Sequence, residues 1–124
     1  MTTAARDRSK AWRRGRRAEW LAAWYLRGKG YRVLERRYRT GTGEVDIVAR
    51  RGTTLAFVEV KARATLAAAL EAVPYRAQQR IASAARVWIA GHPLSGGLTY
   101  RFDIIAVRPR RFPDHIINAF EVDF

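Results

Sequence analysis

The sequence predicts a single mixed α/β domain: a sheet of about five strands flanked by helices, in the order α-β-β-β-α-β-β. Three observations lead to this prediction. Apolar side chains recur at helical spacing over residues 12–29 and again over residues 74–90. Residues 44–61, between them, form two apolar strand-like runs joined by a tight polar turn. Two further strand-like segments follow the second helical stretch.

The first helix is predicted from Ala18, Leu21 and Ala22, which follow the i, i+3, i+4 spacing of one buried helix face. Tyr25 continues the same face one turn later. Gly28 then ends the helix, because glycine is a common residue just past a helix C-terminus.

The first three strands are predicted at residues 31–35, 44–49 and 55–61, where β-branched and aromatic residues are frequent. Residues 51–54 read Arg-Gly-Thr-Thr, which suits a hairpin turn between the second and third strands. These two strands are therefore expected to pair in antiparallel fashion.

The second helix is predicted to begin near Pro74, since proline is favoured in the first turn of a helix, and to end at Gly91. The alanine-rich residues 65–73 before it fit a loop or a short helix. Residues 98–107 and roughly 116–122 are predicted as the last two strands.

The charge of the chain is strongly basic, with 24 lysines and arginines against 11 acidic residues and a formal net charge of +13. This balance is typical of proteins that bind nucleic acid, and it also suits an acidic protein partner. Residues 1–11 are predicted to form a basic, flexible arm ahead of a single domain over residues 12–124.

The composition also excludes several classes of site. Because the chain has no cysteine, it contains neither disulfides nor thiolate metal ligands, and a cytoplasmic location is expected. No apolar run approaches the roughly 20 residues needed to cross a bilayer, and no signal peptide is evident, so no membrane partner is expected. His92 and His115 do not form the ligand spacing of a zinc site.

The candidate chemistry lies on the predicted hairpin. Its pairing places Asp46 opposite Glu59 and Glu44 opposite Lys61. Two carboxylates that face each other across a strand pair repel, unless a cation lies between them or the strand ends splay. Mg²⁺ prefers such oxygen ligands, and a bound Mg²⁺ can activate water for the hydrolysis of a phosphodiester. An ordinary cross-strand ion pair is the alternative reading of these residues.

Other residues extend or limit this hypothesis. Glu19 on the first helix is a fourth candidate, because its position would let it point over the sheet toward Asp46 and Glu59. Asp103 is expected to form a structural ion pair with an arginine, since buried acids are usually paired. The tryptophans at positions 12, 20, 24 and 88 are expected mostly in the core. Backbone phosphates would be bound by Arg13, Arg14, Arg16 and Arg17.

Five sequence blocks resemble one known family: GRRAEWLAAWYLRGKGYRVLERRYR, GEVDIVAR, FVEVKAR, YRFDIIAV and INAF, in this order. Together they look like the YraN-type family of small bacterial proteins, and Asp46 with Glu59-Val60-Lys61 has the shape of the PD-(D/E)XK nuclease signature. The resemblance implies a restriction-endonuclease-like fold related to Holliday-junction resolvases. It also implies that Asp46, Glu59 and the Val60 carbonyl bind Mg²⁺ or Mn²⁺, that Lys61 serves the attacking water, and that Glu19 completes the catalytic set.

The chain departs from the family pattern at two positions. Ala77 replaces an expected lysine early in the second helix, where Arg76 or Arg80 would have to make any phosphate contact. Arg37 replaces an expected asparagine. Arg63, directly after the third strand, joins Arg76 among the expected nucleic-acid contacts.

Three functions are consistent with these features. The first is a Mg²⁺-dependent endonuclease that cuts branched or otherwise structured DNA, as a homodimer if it resolves junctions. The second is a non-catalytic nucleic-acid-binding module that keeps the nuclease fold. The third is a partner of an acidic protein, whose affinity would not carry the salt dependence of phosphate binding.

Overall fold

A computed structural model describes residues 3–123, apart from the side chains at positions 3, 6, 7, 9, 11, 94 and 95. Its helices are α1 (Thr3–Gly28), α2 (Leu66–Glu71) and α3 (Tyr75–Ala90), and a 3₁₀ segment covers Pro93–Gly97. Its strands are β1 (Arg32–Arg39), β2 (Glu44–Arg51), β3 (Thr54–Ala62), β4 (Thr99–Val107) and β5 (Asp114–Phe120).

The five strands form one mixed sheet in the order β1-β2-β3-β4-β5. Neighbouring strands are antiparallel except for the central pair, β3 and β4, which is parallel. The parallel pair requires a crossover, and α2 and α3 provide it. The predicted mixed α/β fold is confirmed, and this open sheet between helices is consistent with a restriction-endonuclease-like fold.

Helices cover both faces of the sheet and create two cores. On one face, Leu26 and three alanines of α1 pack against β2, β3 and β4 around Ile47, Val58 and Ile105. On the other, α3 packs around Phe57 and Trp88. The alanines let α1 approach closely, because a helix with small side chains on its buried face packs against a sheet with little separation.

Several boundaries differ from those predicted. Helix α1 begins at Thr3, well before the expected start, so the described part of the segment predicted as an arm is helical. The alanine-rich segment is the short helix α2, capped by the Thr65 side chain, which accepts a hydrogen bond from the Ala68 N–H at 3.1 Å. β1 extends to Arg39, further than predicted.

The tryptophans of α1 are not in the core, contrary to the expectation from the sequence. Trp20 and Trp24 are each a little over half exposed, and Trp12 is exposed too, whereas Trp88 on α3 is buried. Trp20 and Trp24 lie on the side of α1 opposite its alanines, so the close helix–sheet contact leaves them facing outward. No helix within residues 3–123 has both the length and the apolar character needed to span a membrane.

Candidate active site

The β2–β3 hairpin sets the geometry of the site. Its pairs run from Arg51↔Thr54 to Ile47↔Val58, in the register that the sequence predicted. The turn itself is shorter than predicted and uses Gly52 with a φ of 61°, a left-handed conformation that glycine adopts at low cost.

The ladder between β2 and β3 ends at Ile47, just before Asp46. Val45 packs in the α3-side core and Ile47 in the α1-side core, although residues two apart in a regular strand share a face. The buried side chains of β2 therefore change from one face of the sheet to the other at Asp46. In place of a backbone partner, the Asp46 Oδ2 accepts a hydrogen bond of 2.8 Å from the Val60 N–H.

The backbone carbonyl of Val60 lies on the edge of β3 that faces the Asp46 carboxylate. In a strand, the N–H and C=O of one residue point toward the same neighbouring strand. Since the Val60 N–H points to the Asp46 carboxylate, its carbonyl oxygen lies on that side too, where β2 no longer pairs with β3.

Asp46 and Glu59 form a hydrogen-bonded carboxyl pair. Burial, followed by the negative charge of Asp46, raises the pKa of Glu59 to about 8. The pKa of Asp46 is also raised, mainly by burial and against the lowering effect of the Val60 N–H. Such a pair titrates as a unit, and one proton is held between the two groups near neutral pH.

Lys61 lies beside this pair, with its Nζ 3.3 Å from the Glu59 Oε1. The predicted grouping of Asp46, Glu59 and Lys61 is thus present in the structure. Glu44 does not lie opposite Lys61. It pairs instead with Arg39 of β1, with 3.3 Å between its Oε2 and the arginine Nε.

Glu19 reaches the site from α1 and is buried, with 8 % of its surface exposed. Burial and then the charge of Asp46 raise the pKa of Glu19 to about 7. Its Oε1 lies 3.3 Å from the Arg37 Nε, but the geometry is not that of a hydrogen bond, and both buried atoms lack a hydrogen-bond partner.

Arg37 itself has an unusual backbone, with a φ of 49°. Asparagine adopts the left-handed region more readily than arginine, which gives a physical reason for the asparagine expected here. In this chain the guanidinium instead projects toward Glu19, so the departure from the family pattern introduces a positive charge at the site.

A cavity of about 230 Å³ lies between α1 and the start of β2. Its walls include Glu19, Glu44 and Asp46, together with Trp12 and Arg16 of α1. The orphaned Glu19 oxygen and the Asp46 carboxylate therefore border the same small space.

The residues present suit a hard divalent cation. Asp46, Glu59 and the Val60 carbonyl supply oxygen ligands. Burial disfavours the ionised form of the two carboxyl groups, and a bound cation would stabilise that form. Among the described residues, no group of three or more acidic or histidine side chains is placed so that all of them could hold one metal ion. A cation here would consequently keep several waters, as Mg²⁺ does when one or two carboxylates bind it.

A larger cleft of about 1230 Å³ opens on the Lys61 side of the site. α1, the end of β3 and the loop between β4 and β5 form its walls. Of the side chains that the structure describes, no acidic one lines this cleft and seven cationic ones do: Arg14, Arg17, Lys61, Arg63, Arg108, Arg110 and Arg111.

The arginines predicted to contact phosphates do not all lie in one cavity. Arg14, Arg17 and Arg63 line the large cleft, and Arg16 lines the small cavity. Arg13 and Arg76 line neither of these two cavities. The arginines of the β4–β5 loop were not among the predicted contacts, although the run RPRRFP at residues 108–113 is a signal of a basic loop.

Asp103 belongs to a separate, structural cluster. Its buried carboxylate accepts two hydrogen bonds of 2.8 Å from Arg101, one of 2.7 Å from the His115 Nε2 and one of 3.0 Å from the Asn118 N–H. Burial alone would raise the pKa of Asp103, but these donors outweigh it and lower the pKa. A carboxylate so fully satisfied is a structural anchor, in line with the expectation from the sequence.

Comparison with known proteins identifies the family. A family model described as "Uncharacterised protein family UPF0102" matches residues 18–107, most of the chain. The protein belongs to the UPF0102 family. This confirms the YraN-type resemblance, and the UPF0102 match includes Glu19, Asp46, Glu59 and Lys61 but ends before the β4–β5 loop.

Individual UPF0102 proteins are similar over nearly their whole length. A UPF0102 protein of Chelativorans sp. (strain BNC1) is 51% identical over 92% of this chain and 92% of its own. One from Mesorhizobium japonicum is 52% identical over 92% of this chain and 91% of its own. Another, from Methylorubrum extorquens (strain PA1), is 54% identical over 89% of this chain and 86% of its own.

Proposed function

We propose that this protein is a Mg²⁺- or Mn²⁺-dependent endonuclease that hydrolyses phosphodiester bonds of branched or otherwise structured DNA. One observation carries the proposal. Two largely buried carboxyl groups, whose pKa values are both raised by burial, lie together beside a lysine at the edge of a cleft that, among the described residues, is lined by cationic side chains and no acidic ones. Oxygen atoms suited to a hard cation, a neighbouring lysine and a cationic surface suited to a polyanion thus lie together, which supports the proposal.

The carboxyl pair would hold the metal. Asp46 and Glu59 contribute oxygen ligands, and the Val60 carbonyl lies on the same open edge of β3. When bound, the metal withdraws charge from the phosphoryl group and makes a coordinated water more acidic. Its binding requires Glu59 to lose the shared proton, because a metal-bound carboxylate must be ionised.

Lys61 and Glu19 have different proposed roles. Lys61 lines the large cleft while its Nζ contacts Glu59, so its ammonium can stabilise hydroxide or the negative charge that develops on the phosphorus oxygens. Glu19 lies on the other side, in the small cavity with Asp46. With a pKa of about 7 it can hold or release a proton near neutral pH.

The decisive experiment is a cleavage assay on a labelled four-way junction with Mg²⁺ or Mn²⁺. The wild-type protein should nick it, and both EDTA and the substitutions Asp46→Asn and Lys61→Ala should lower the rate by about 100-fold or more. Symmetric cuts on two strands would further indicate that two copies act together.

Glu71→Gln is the matched control, because this exposed acid at the end of α2 lines neither the small cavity nor the large cleft. It should cut at close to the wild-type rate. Cutting by Asp46→Asn at the wild-type rate would show that this site does not catalyse the cleavage.

The alternative is a nucleic-acid-binding module that keeps the fold without catalysis. Among the described residues, no three acidic or histidine side chains are placed to hold one metal ion together, which favours this alternative. Calorimetry separates the two functions. The endonuclease should bind Mg²⁺ or Mn²⁺ in a manner abolished by Glu59→Gln, whereas the module should bind DNA and no metal.

A further inference from the structure

We propose that Phe112, on the loop between β4 and β5, stacks on an unpaired base and thereby selects nucleic acids that have unpaired nucleotides beside the cleft. This inference rests on the proposed nucleic-acid-binding role of the large cleft. It names the substrate feature that the cleft recognises and a residue outside the predicted site.

Phe112 is the most exposed of the large apolar side chains in the described part of the chain, at 87%. It lines the same cleft as Lys61 and Arg63. Covering the ring of an exposed phenylalanine removes apolar surface from water, which is favourable. The exposed ring of Phe112 is therefore available to a partner that enters the cleft.

The loop that carries Phe112 is restrained. Pro109 and Pro113 fix two of its backbone φ angles. At the base of the loop, the Arg108 Nε donates a hydrogen bond of 2.7 Å to the Asp114 Oδ2. A restrained loop loses little conformational entropy when its tip binds, which favours Phe112 as a preformed contact.

The chemistry of the cleft indicates which partner covers the ring. The described side chains that line the cleft include seven cationic ones and no acidic one, and guanidinium groups match phosphate oxygens in geometry. A basic groove with an aromatic side chain at its rim is the arrangement that binds single strands, because phosphates follow the groove while a base stacks on the ring. Charge complementarity therefore favours nucleic acid over an acidic protein.

The position of the ring adds selectivity. Bases inside a regular duplex already stack on their neighbours and are closed to an outside ring. Phe112 would engage only a base freed at a branch point, a flap or a single-stranded end. The cationic cleft contacts phosphates of any DNA, so affinity for duplex does not depend on the ring.

The test measures binding in EDTA, which excludes cleavage. Fluorescence anisotropy would compare a labelled duplex with the same duplex bearing a single-stranded flap. The wild-type protein should bind the flapped DNA about ten-fold more tightly. Phe112→Ala should lose this preference while binding duplex within about two-fold of wild type, and Phe112→Trp should keep it.

Tyr75→Ala is the matched control. Tyr75 is also highly exposed, but it begins α3, on the other face of the sheet, and lines neither cavity. Its loss should leave both affinities unchanged. A 2-aminopurine at the first unpaired position should be quenched by the wild-type protein and not by Phe112→Ala.

The outcomes separate this inference from the proposed activity. If Phe112→Ala keeps the full preference, or if wild-type protein binds both DNAs equally, base stacking by Phe112 is wrong even when the junction is cut. If the preference follows Phe112 while no nuclease activity is found, the inference stands and the binding module becomes the function.

Discussion

At the scale of single residues, the buried acids of this protein show that partners decide the charge state of a carboxyl group. Asp103 is fully buried, and four hydrogen bonds from Arg101, His115 and the Asn118 N–H lower its pKa. Glu19 and Glu59 are also sequestered, yet their pKa values rise to about 7 and about 8 because burial and the charge of Asp46 dominate. Only the second kind of acid gains from a bound cation.

The raised pKa of Glu59 predicts a pH-dependent stability. The folded state holds this proton up to about pH 8, whereas the unfolded chain releases it near pH 4.5, the ordinary value. Between these values the folded state binds more protons, so its stability falls as pH rises. In metal-free buffer, Glu59→Gln should remove this dependence. As pH rises from 6 to 8.5, the free energy of unfolding of this variant should increase by about 1 kcal/mol or more relative to that of wild type.

Urea unfolding at a series of pH values measures this effect. Asp114→Asn serves as the control, since its pKa is lowered by Arg108 and its contribution is lost only in acid. Parallel stability curves for wild type and Glu59→Gln over this range would contradict the raised pKa.

At the scale of elements, the start of β2 is fixed by its contact with α3. A Cβ atom at Gly43 would lie 1.8 Å from the Arg80 carbonyl oxygen, so only glycine fits between the two elements. Next to it, the Thr42 and Ser83 hydroxyls form a short hydrogen bond. Thr40 closes the preceding turn, since its backbone N–H donates to the Gly43 carbonyl at 2.8 Å. These contacts position β2 just ahead of Asp46.

Gly43→Ala should therefore destabilise the protein by about 3 kcal/mol, because β2 or α3 must shift to admit the methyl group. Gly41→Ala, in the same turn, has open space around its added carbon and should change stability by less than about 0.5 kcal/mol. Thermal unfolding of the two variants measures the difference. Equal stability of the pair would show that β2 does not depend on this close approach.

At the scale of the whole molecule, the fold collects positive charge from distant parts of the chain. α1 contributes Arg14 and Arg17 to the large cleft, β3 and its end contribute Lys61 and Arg63, and the β4–β5 loop adds three more arginines. Two of these seven cationic groups already form ion pairs, Lys61 with Glu59 and Arg108 with Asp114. The other five define the expected footprint on phosphates.

This footprint predicts the salt dependence of DNA binding. Release of counterions from about five phosphate contacts should give a slope of about −4.5 when the logarithm of the association constant is plotted against that of salt concentration. Arg14→Ala should make the slope shallower by about 1, whereas Arg76→Ala, outside the cleft, should not change it. The reverse pattern would place the DNA on α3 instead. Affinity that does not depend on salt would favour an acidic protein partner.

Much of the fold could be predicted from the sequence, because it depends on local patterns. Alternating apolar residues and the turn predicted at residues 51–54 were enough to set the β2–β3 register, and glycines and Pro74 marked the ends of helices. The tryptophans of α1 were misplaced for a physical reason. Spacing shows that a helix has an apolar face, but it does not reveal that alanines would form the close contact with the sheet and leave Trp20 and Trp24 outside.

The sequence by itself determined the five-stranded sheet, the approach of Asp46 to Glu59 and the strongly basic character of the protein. These features follow from strand periodicity, a short turn and composition. Only the tertiary structure decided that the Glu19 oxygen beside Asp46 has no hydrogen-bond partner, that Arg76 lies apart from the cleft, and that Phe112 stands at its rim. Those relations join residues far apart in the chain, and packing of α1 and the β4–β5 loop against the sheet creates them.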